Sequence, residues 1–504
     1  MARSIHRMVR GLYAPDRSDA ELFEVGTPKR QQLYTDRLVP DALDGDALRA
    51  CEAVPAVRVA VVGAGFAGLT AAWYLRQAGV AVTVFEASDR VGGRVLTDHN
   101  FVPGKVVEAG AELIGTNHPL WVELSAKFGL QLSKVSKEKD YAGLHVRLRL
   151  GNYDLTDADK ELVEKELLQV FRSIGDEARP IDPVSPWLSP NAGTYDHESV
   201  SAALDRHCGA ASSLTRSVLE FGIGNDNCAP PSSQSYLGLL ALVSAGRVGN
   251  DEEGMRGYWE LTETHRCWGG NQQLAYELAR PLTDVRFNSP VEKIMVTETG
   301  IGIGWGGTAG GEEAFDYAIL AAPPTSWPAV ESAEPWRPAD RTMSHGPAVK
   351  YLSAVDREFW RDHGLAPSAG WDELGSVWEG TDRQGHLAGG FDLSVYSGGQ
   401  YVLGAADYPG RLATIFPGYA PSAVRFVDWP GTPYIWTGYS VPSVGQVTTV
   451  GPWLATPHGG RIIFAGEQAC IGYFGYMEGA LQSGARAALS IMGALCPAAV
   501  GIAA

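Results

Sequence analysis

Residues 58–94 read RVAVVGAGFAGLTAAWYLRQAGVAVTVFEASDRVGGR, and this stretch decides the fold. Val59–Val62 is a run of small and β-branched residues suited to a buried parallel strand. Gly63, Gly65 and Gly68 follow at G-x-G-x-x-G spacing. Leu69–Gln77 then predicts a helix that stops at Gly79, and Val80–Phe85 predicts a second strand closed by Glu86. Each glycine has its own task. Gly63 permits the tight turn out of the strand, Gly65 lets a pyrophosphate approach the backbone, and Gly68 lets helix and strand pack closely. The helix N-terminus offers free N–H groups and the positive end of a dipole to the phosphates. Glu86 lies 18 residues after Gly68, placed to accept hydrogen bonds from a ribose diol. Strand, glycine triplet, helix, strand and acid in that order predict a dinucleotide site.

The next eight residues select the dinucleotide. Residues 87–94, ASDRVGGR, resemble the flavin-binding signature of the flavin amine oxidase family, which includes monoamine oxidases, polyamine oxidases and L-amino-acid oxidases. The resemblance implies FAD, with Gly92, Gly93 and Arg94 at its pyrophosphate. An arginine suits that place as a bidentate, charge-assisted partner of a diphosphate.

Outside this stretch, composition sets bounds. The chain has 504 residues, enough for two or three domains, and is 45% hydrophobic and 20% charged, an ordinary globular balance. A net charge of −17 argues against nucleic acid as a partner, since that binding needs clustered Lys and Arg. The six cysteines are scattered with no C-x-x-C pair, which suits reduced thiols in a cytoplasmic protein. No His/Cys cluster has metal-ligand spacing, and no apolar stretch follows the basic first ten residues as a signal peptide would require. Residues 487–504 carry no charged side chain, but they are mostly Ala and Gly and are interrupted by Pro497. They read as a last core helix and a tail rather than a membrane anchor.

The expected fold is α/β: a discontinuous Rossmann-like FAD-binding domain with a substrate domain of mixed sheet plus a helical insertion. Residues 1–54 form an N-terminal extension, at the surface or at a contact within a homodimer. Residues 55–134, 261–324 and 456–490 build the FAD domain. Residues 135–260 read as the helical insertion, with a helix at Asp157–Ile174, and 325–455 as the substrate-domain sheet; 491–504 is the tail. Val285–Val296 reads as strands, and Ile301–Trp305 and Ala314–Ala322 are expected to continue the FAD-domain sheet.

The resemblance also assigns roles residue by residue. Gly110 belongs to a glycine-rich segment that passes near the flavin. Gly269 and Gly270 resemble a pair at which backbone approaches the flavin, and Val291 lies where the family holds adenine through backbone groups. Residues 461–486, RIIFAGEQACIGYFGYMEGALQSGAR, resemble the family's C-terminal flavin signature, with Gly466, Glu467 and Met477 lining FAD. Lys350 resembles the family's active-site lysine, which holds a water beside the flavin. Tyr439 and Tyr476 resemble its two cage tyrosines, which would favour an apolar, neutral amine. Gly438 stands where some monoamine oxidases have a cysteine bonded to the flavin, so the FAD is expected to be noncovalent.

One departure bears on substrate. Several L-amino-acid oxidases carry a carboxylate-binding arginine near position 112, where this chain has Glu112 and no arginine. Glu112 either faces an amine or bonds the flavin ribose or the backbone. The resemblance therefore implies an amine oxidase that converts a C–N bond to an imine, with O2 as acceptor and H2O2 as product. An L-amino-acid oxidase using Arg247, Arg256, Arg266 or Arg425 for the carboxylate stays open, as does a flavin dehydrogenase or desaturase of a non-amine substrate. His118, at a helix start, reads as structural.

Overall fold

The computed structural model describes residues 57–136, 141, 143–248, 256–327, 329–331 and 342–495. The N-terminal extension, residues 249–255 and the tail beyond 495 lie outside the described residues.

Strand β1 (Arg58–Val62) feeds helix α1 (Phe66–Gln77), which returns to strand β2 (Ala81–Phe85). Three later segments complete a five-stranded parallel sheet: β3 (Val285–Arg286), β4 (Tyr317–Leu320) and β5 (Ile462–Phe464), in the order β5-β4-β1-β2-β3. A parallel sheet is covered on both faces, so its strands read as unbroken apolar runs. Val59, Ala60 and Val61 are fully buried here. Helix α2 (Met477–Leu495) packs along α1. The contact is close because a Cβ on Gly484 would stand 2.2 Å from Ala67 O.

The strands at 291–296 and 301–305 do not extend this sheet. They pair with Gly311–Phe315 and 329–331 in a separate four-stranded sheet. Strand 291–296 buries only Ile294 fully, beside Ile301 and Ile303 of its partner, unlike the buried runs in β1 and β4.

The second layer is a seven-stranded, mostly antiparallel sheet. Its second strand from one edge is Ala348–Val355, paired with Phe391–Gly398 on one side and with the edge strand Ala423–Asp428 on the other. The stretch expected to be mainly helical contributes to it: His145–Leu150 and Tyr153–Asp154 are its last two strands. Val146, Leu148 and Leu150 alternate with His145, Arg147 and Arg149, a period-2 pattern overshadowed by the long helix that follows. That helix spans Asp157–Ala178 and opens with a capping box made by Thr156 and Asp159. Helices Ser213–Asp226 and Tyr236–Ala245 complete the helical layer, the latter buried all round.

Candidate active site

The carboxyl ends of β1, β2 and β4, the N-termini of α1 and α2, and the start of strand 348–355 converge on one cavity of about 280 Å³. Position follows from topology, because ligands of open α/β sheets bind outside the carboxyl ends of the strands.

Nearly all the residues singled out in the sequence line this cavity. Gly63, Gly65, Glu86, Gly93 and Arg94 are in its wall. So are Gly110, Val291, Gly466, Glu467 and Met477, and the three side chains Lys350, Tyr439 and Tyr476. Gly68 is not in the wall: a Cβ there would stand 2.0 Å from Gly63 O, so it serves the helix–strand contact. Gly269 and Gly270 do not reach the cavity; a Cβ on Gly270 would meet the Thr97 side chain. Sequence reading missed Arg90, Trp429 and Tyr396, all in the wall.

The turn after β1 fits a diphosphate. Gly63 holds φ at 103°, which L side chains rarely adopt. A Cβ on Gly65 would have nothing nearer than Gly93 Cα at 3.9 Å, so its bare face opens into the cavity. Gly65 is the N-cap of α1 and offers no side-chain cap, leaving first-turn N–H groups directed at that space. Glu86 accepts from Ala64 N at 2.7 Å and from Ser88 N at 2.8 Å, which fixes its carboxylate at the cavity edge.

Arg94 and Glu467 form an ion pair at 2.9 Å, and Arg94 also donates to Gly438 O at 2.9 Å. Glu467 accepts further from Gly475 N at 2.7 Å and from both Ser440 N and Ser440 Oγ. Burial pushes its pKa up, but Arg94 and these donors outweigh it and hold the carboxyl below its ordinary value. Glu467 thus ties Arg94, strand 439–440 and the turn into α2 together.

Lys350 ends in a buried ion cluster. Its Nζ donates to Glu112 Oε2 at 2.6 Å and to Glu108 O at 2.8 Å. Glu112 also pairs with Arg266 Nε at 3.0 Å and accepts from Trp378 Nε1 at 2.8 Å. Burial raises the Glu112 pKa, and Lys350 and Arg266 more than offset this, so it stays ionised. Glu112 does not line the cavity; it braces Lys350. The neighbouring Glu108 carboxyl is pushed up to about 7, mainly by burial, with the Glu112 charge adding to it.

None of the four arginines considered for a substrate carboxylate lines the cavity. Arg266 is held by Glu112 and by Gly380 O at 2.7 Å. Arg425 pairs with Asp98, Arg256 with Glu260, and Arg247 donates to Arg179 O.

The aromatic end of the cavity is made by Tyr439, Tyr476 and Tyr396. His118 packs edge-on against Tyr476, with ring centroids 5.3 Å apart. Its Nδ1 accepts from Gly115 N at 2.9 Å, and burial lowers its pKa to about 3, so it is a neutral structural residue. A side chain at position 438 has no room: a Cβ there would stand 2.5 Å from Ala348 Cβ.

Fold and site together define a flavoprotein built on a dinucleotide-binding sheet with an aromatic, lysine-bearing end. The chain belongs to the flavin-containing amine oxidoreductase family, whose sequence profile matches residues 66–401 and 405–492. Its cofactor is FAD, and small-molecule amines are the substrates of the family. AofH of Mycobacterium tuberculosis is 28% identical over 459 residues, 86% of this chain and 96% of that protein. An L-amino acid dehydrogenase of Synechocystis is 23% identical over 469 residues, 86% of this chain and 94% of that protein. The solved cyclohexylamine oxidase of Brevibacterium oxydans shares the fold, with a TM-score of 0.73 over 87% of this chain and 99% of that one at 23% identity. Among the described residues no helix is long and apolar enough to cross a membrane.

Proposed function

We propose that this chain is an amine oxidase, which converts the C–N bond of a small amine to an imine, passes the electrons to O2 to give H2O2, and releases a carbonyl compound after hydrolysis. The observation that carries this reading is the joining of Lys350, Tyr439 and Tyr476 to the dinucleotide cradle in one continuous cavity. The flavin supplies the two-electron acceptor; the remaining work belongs to the protein. Gly63, Gly65 and the α1 N-terminus would hold the diphosphate with Gly93 and Arg94, Glu86 the ribose, and Val291 the adenine. Gly110, Gly466, Glu467 and Met477 would enclose the ring system. Tyr439 and Tyr476 present aromatic walls that exclude water and orient a neutral amine. Lys350 keeps a fixed cation at that end of the cavity, where it favours charge arriving on oxygen.

An amine suits this site better than an α-amino acid. The four arginines considered for a substrate carboxylate are engaged elsewhere and do not line the cavity. The Synechocystis relative keeps the amino-acid reading as the competitor. Comparing kcat/KM for benzylamine, putrescine and cyclohexylamine with L-phenylalanine and L-lysine tests the choice. Turnover of an amine with no amino acid used supports the proposal; turnover of amino acids alone overturns it. Cys208, Cys228, Cys267 and Cys470 are free thiols, in keeping with a cytoplasmic site of action.

A further inference from the structure

Tyr396 lines the cavity beside Tyr439 and Tyr476. It stands directly opposite Lys350 in the antiparallel pairing of strands 348–355 and 391–398, so both side chains leave the sheet on one face. Its hydroxyl has three neighbours: the Tyr439 hydroxyl, Cys228 Sγ at 3.0 Å and Asn225 O at 3.3 Å. The Tyr439 hydroxyl in turn donates to Asp226 O.

Counting protons orders this cluster. Each phenol has one O–H to donate. Tyr439 gives its proton to the Asp226 carbonyl, so the Tyr396 proton is shared between the Tyr439 oxygen and Asn225 O. The Cys228 thiol then donates to the Tyr396 oxygen. The direction runs from Cys228 to Tyr396 to Tyr439 to the carbonyl of Asp226. It ends on the last turn of helix 213–226, where free carbonyls are the negative end of the helix dipole and the natural sink for a donor. Burial keeps both phenols well above their ordinary pKa and pushes the Cys228 thiol up to about 12, so the chain of donors stays protonated. On its other side the Tyr439 ring lies against Gly475, where a Cβ would stand 2.9 Å from its Cδ2. Tyr439 is thus held at its hydroxyl by Tyr396 and along its ring by a glycine.

We propose that Tyr396 is the positioning residue of the aromatic cage: by donating to Tyr439 it fixes the angle at which that ring receives the amine. The proposal rests on the amine-oxidase reading and adds to it a residue whose effect is confined to the amine half of the cycle. Lys350, on the neighbouring strand, is not a partner of the Tyr396 hydroxyl, so reaction with oxygen is independent of it.

The test is a double-mutant cycle on holoenzyme, read by anaerobic stopped-flow reduction with the fastest amine of the panel and by reoxidation with air. Tyr396→Phe keeps the ring and the bound FAD. It should lower the limiting rate of reduction about tenfold, the size of one well-made hydrogen bond, and leave reoxidation unchanged. Because Tyr396 acts through Tyr439, the Tyr396→Phe/Tyr439→Phe double variant should be no slower than Tyr439→Phe alone. Should Tyr396→Phe fold poorly, Cys228→Ala, which leaves both rings, should move reduction in the same direction by about twofold. Wild-type reduction by Tyr396→Phe overturns the proposal, as do fully additive penalties or an equal slowing of reoxidation. A wild-type protein that no amine reduces fails the amine-oxidase reading itself, which is distinct from an amine-reducible enzyme indifferent to Tyr396.

Discussion

Lys350 Nζ and Glu112 Oε2 lie 2.6 Å apart, buried between the cofactor cavity and Arg266. The pair explains how a cation is kept in an apolar wall: Lys350 is only 5% exposed, and its strand is otherwise fully apolar or small. Breaking a buried pair by removing one partner costs about 3–5 kcal/mol, because the survivor is left charged in a poor solvent. Glu112 retains Arg266, so the lower end applies. Lys350→Met should therefore fold, bind FAD and lose roughly 3 kcal/mol of stability by urea unfolding. Its reoxidation by oxygen should slow by about 100-fold, the low end of what one placed acid–base group supplies. A Lys350→Met protein that reoxidises at the wild-type rate removes the role assigned to the lysine.

The glycines of the first turn separate binding from folding. Gly65 has an ordinary φ of −76° and an open face toward the cavity, so Gly65→Val should yield folded protein with wild-type circular dichroism and no bound FAD. Gly68 meets the Gly63 carbonyl, so Gly68→Ala should cost several kcal/mol, in the manner of an overpacked core, and reduce soluble yield. Yellow, fully loaded Gly65→Val would contradict the phosphate assignment.

Position 438 predicts the mode of flavin attachment. Acid precipitation should release all the FAD of the wild-type protein into the supernatant. Gly438→Cys should not gain a covalent flavin, because its Cβ would collide with Ala348 before a thiol could approach. It should instead unfold at a temperature lower by several degrees, as about 1–3 kcal/mol of overpacking does in a domain of this size.

Glu108 gives a signed pH dependence. Its folded pKa of about 7 exceeds the usual carboxyl value, so the folded state holds a proton that the unfolded chain releases. Its contribution is complete below about pH 4.5 and is lost as pH rises through 7. Stability should fall between pH 5 and 8, and Glu108→Gln should flatten that slope by about one proton. Asp392, Glu379 and Glu478, each also pushed to about 7 chiefly by burial, keep the remaining slope in the variant. An unchanged slope in Glu108→Gln would show that its carboxyl does not titrate there.

The cofactor half of the molecule was legible because its physics is local. The turn at Gly63–Gly68 and the acid at Glu86 work through backbone over a few residues, so spacing alone exposes them. Lys350, Tyr439 and Tyr476 were reached through resemblance, and they do meet at the cavity. Long-range partners were not legible. Nothing in the spacing says that Glu112 braces Lys350 while holding Arg266, or that Tyr396 answers Tyr439 from a different sheet, since those contacts join segments far apart in sequence. Strand 145–150 was missed although its alternation was present, because a short strand beside a 22-residue helix contributes little to the pattern. The reading of Ile301–Trp305 as a continuation of the FAD-domain sheet failed because sequence order does not state which sheet a strand joins.

The central claim is tested most directly by anaerobic mixing of the yellow protein with benzylamine, putrescine and cyclohexylamine, followed by admission of air and a peroxide assay. Bleaching by at least one amine, then recovery of the yellow colour with one H2O2 per flavin, is the predicted result. A flavin that no amine bleaches, or one that bleaches and recovers in air without peroxide, would contradict it.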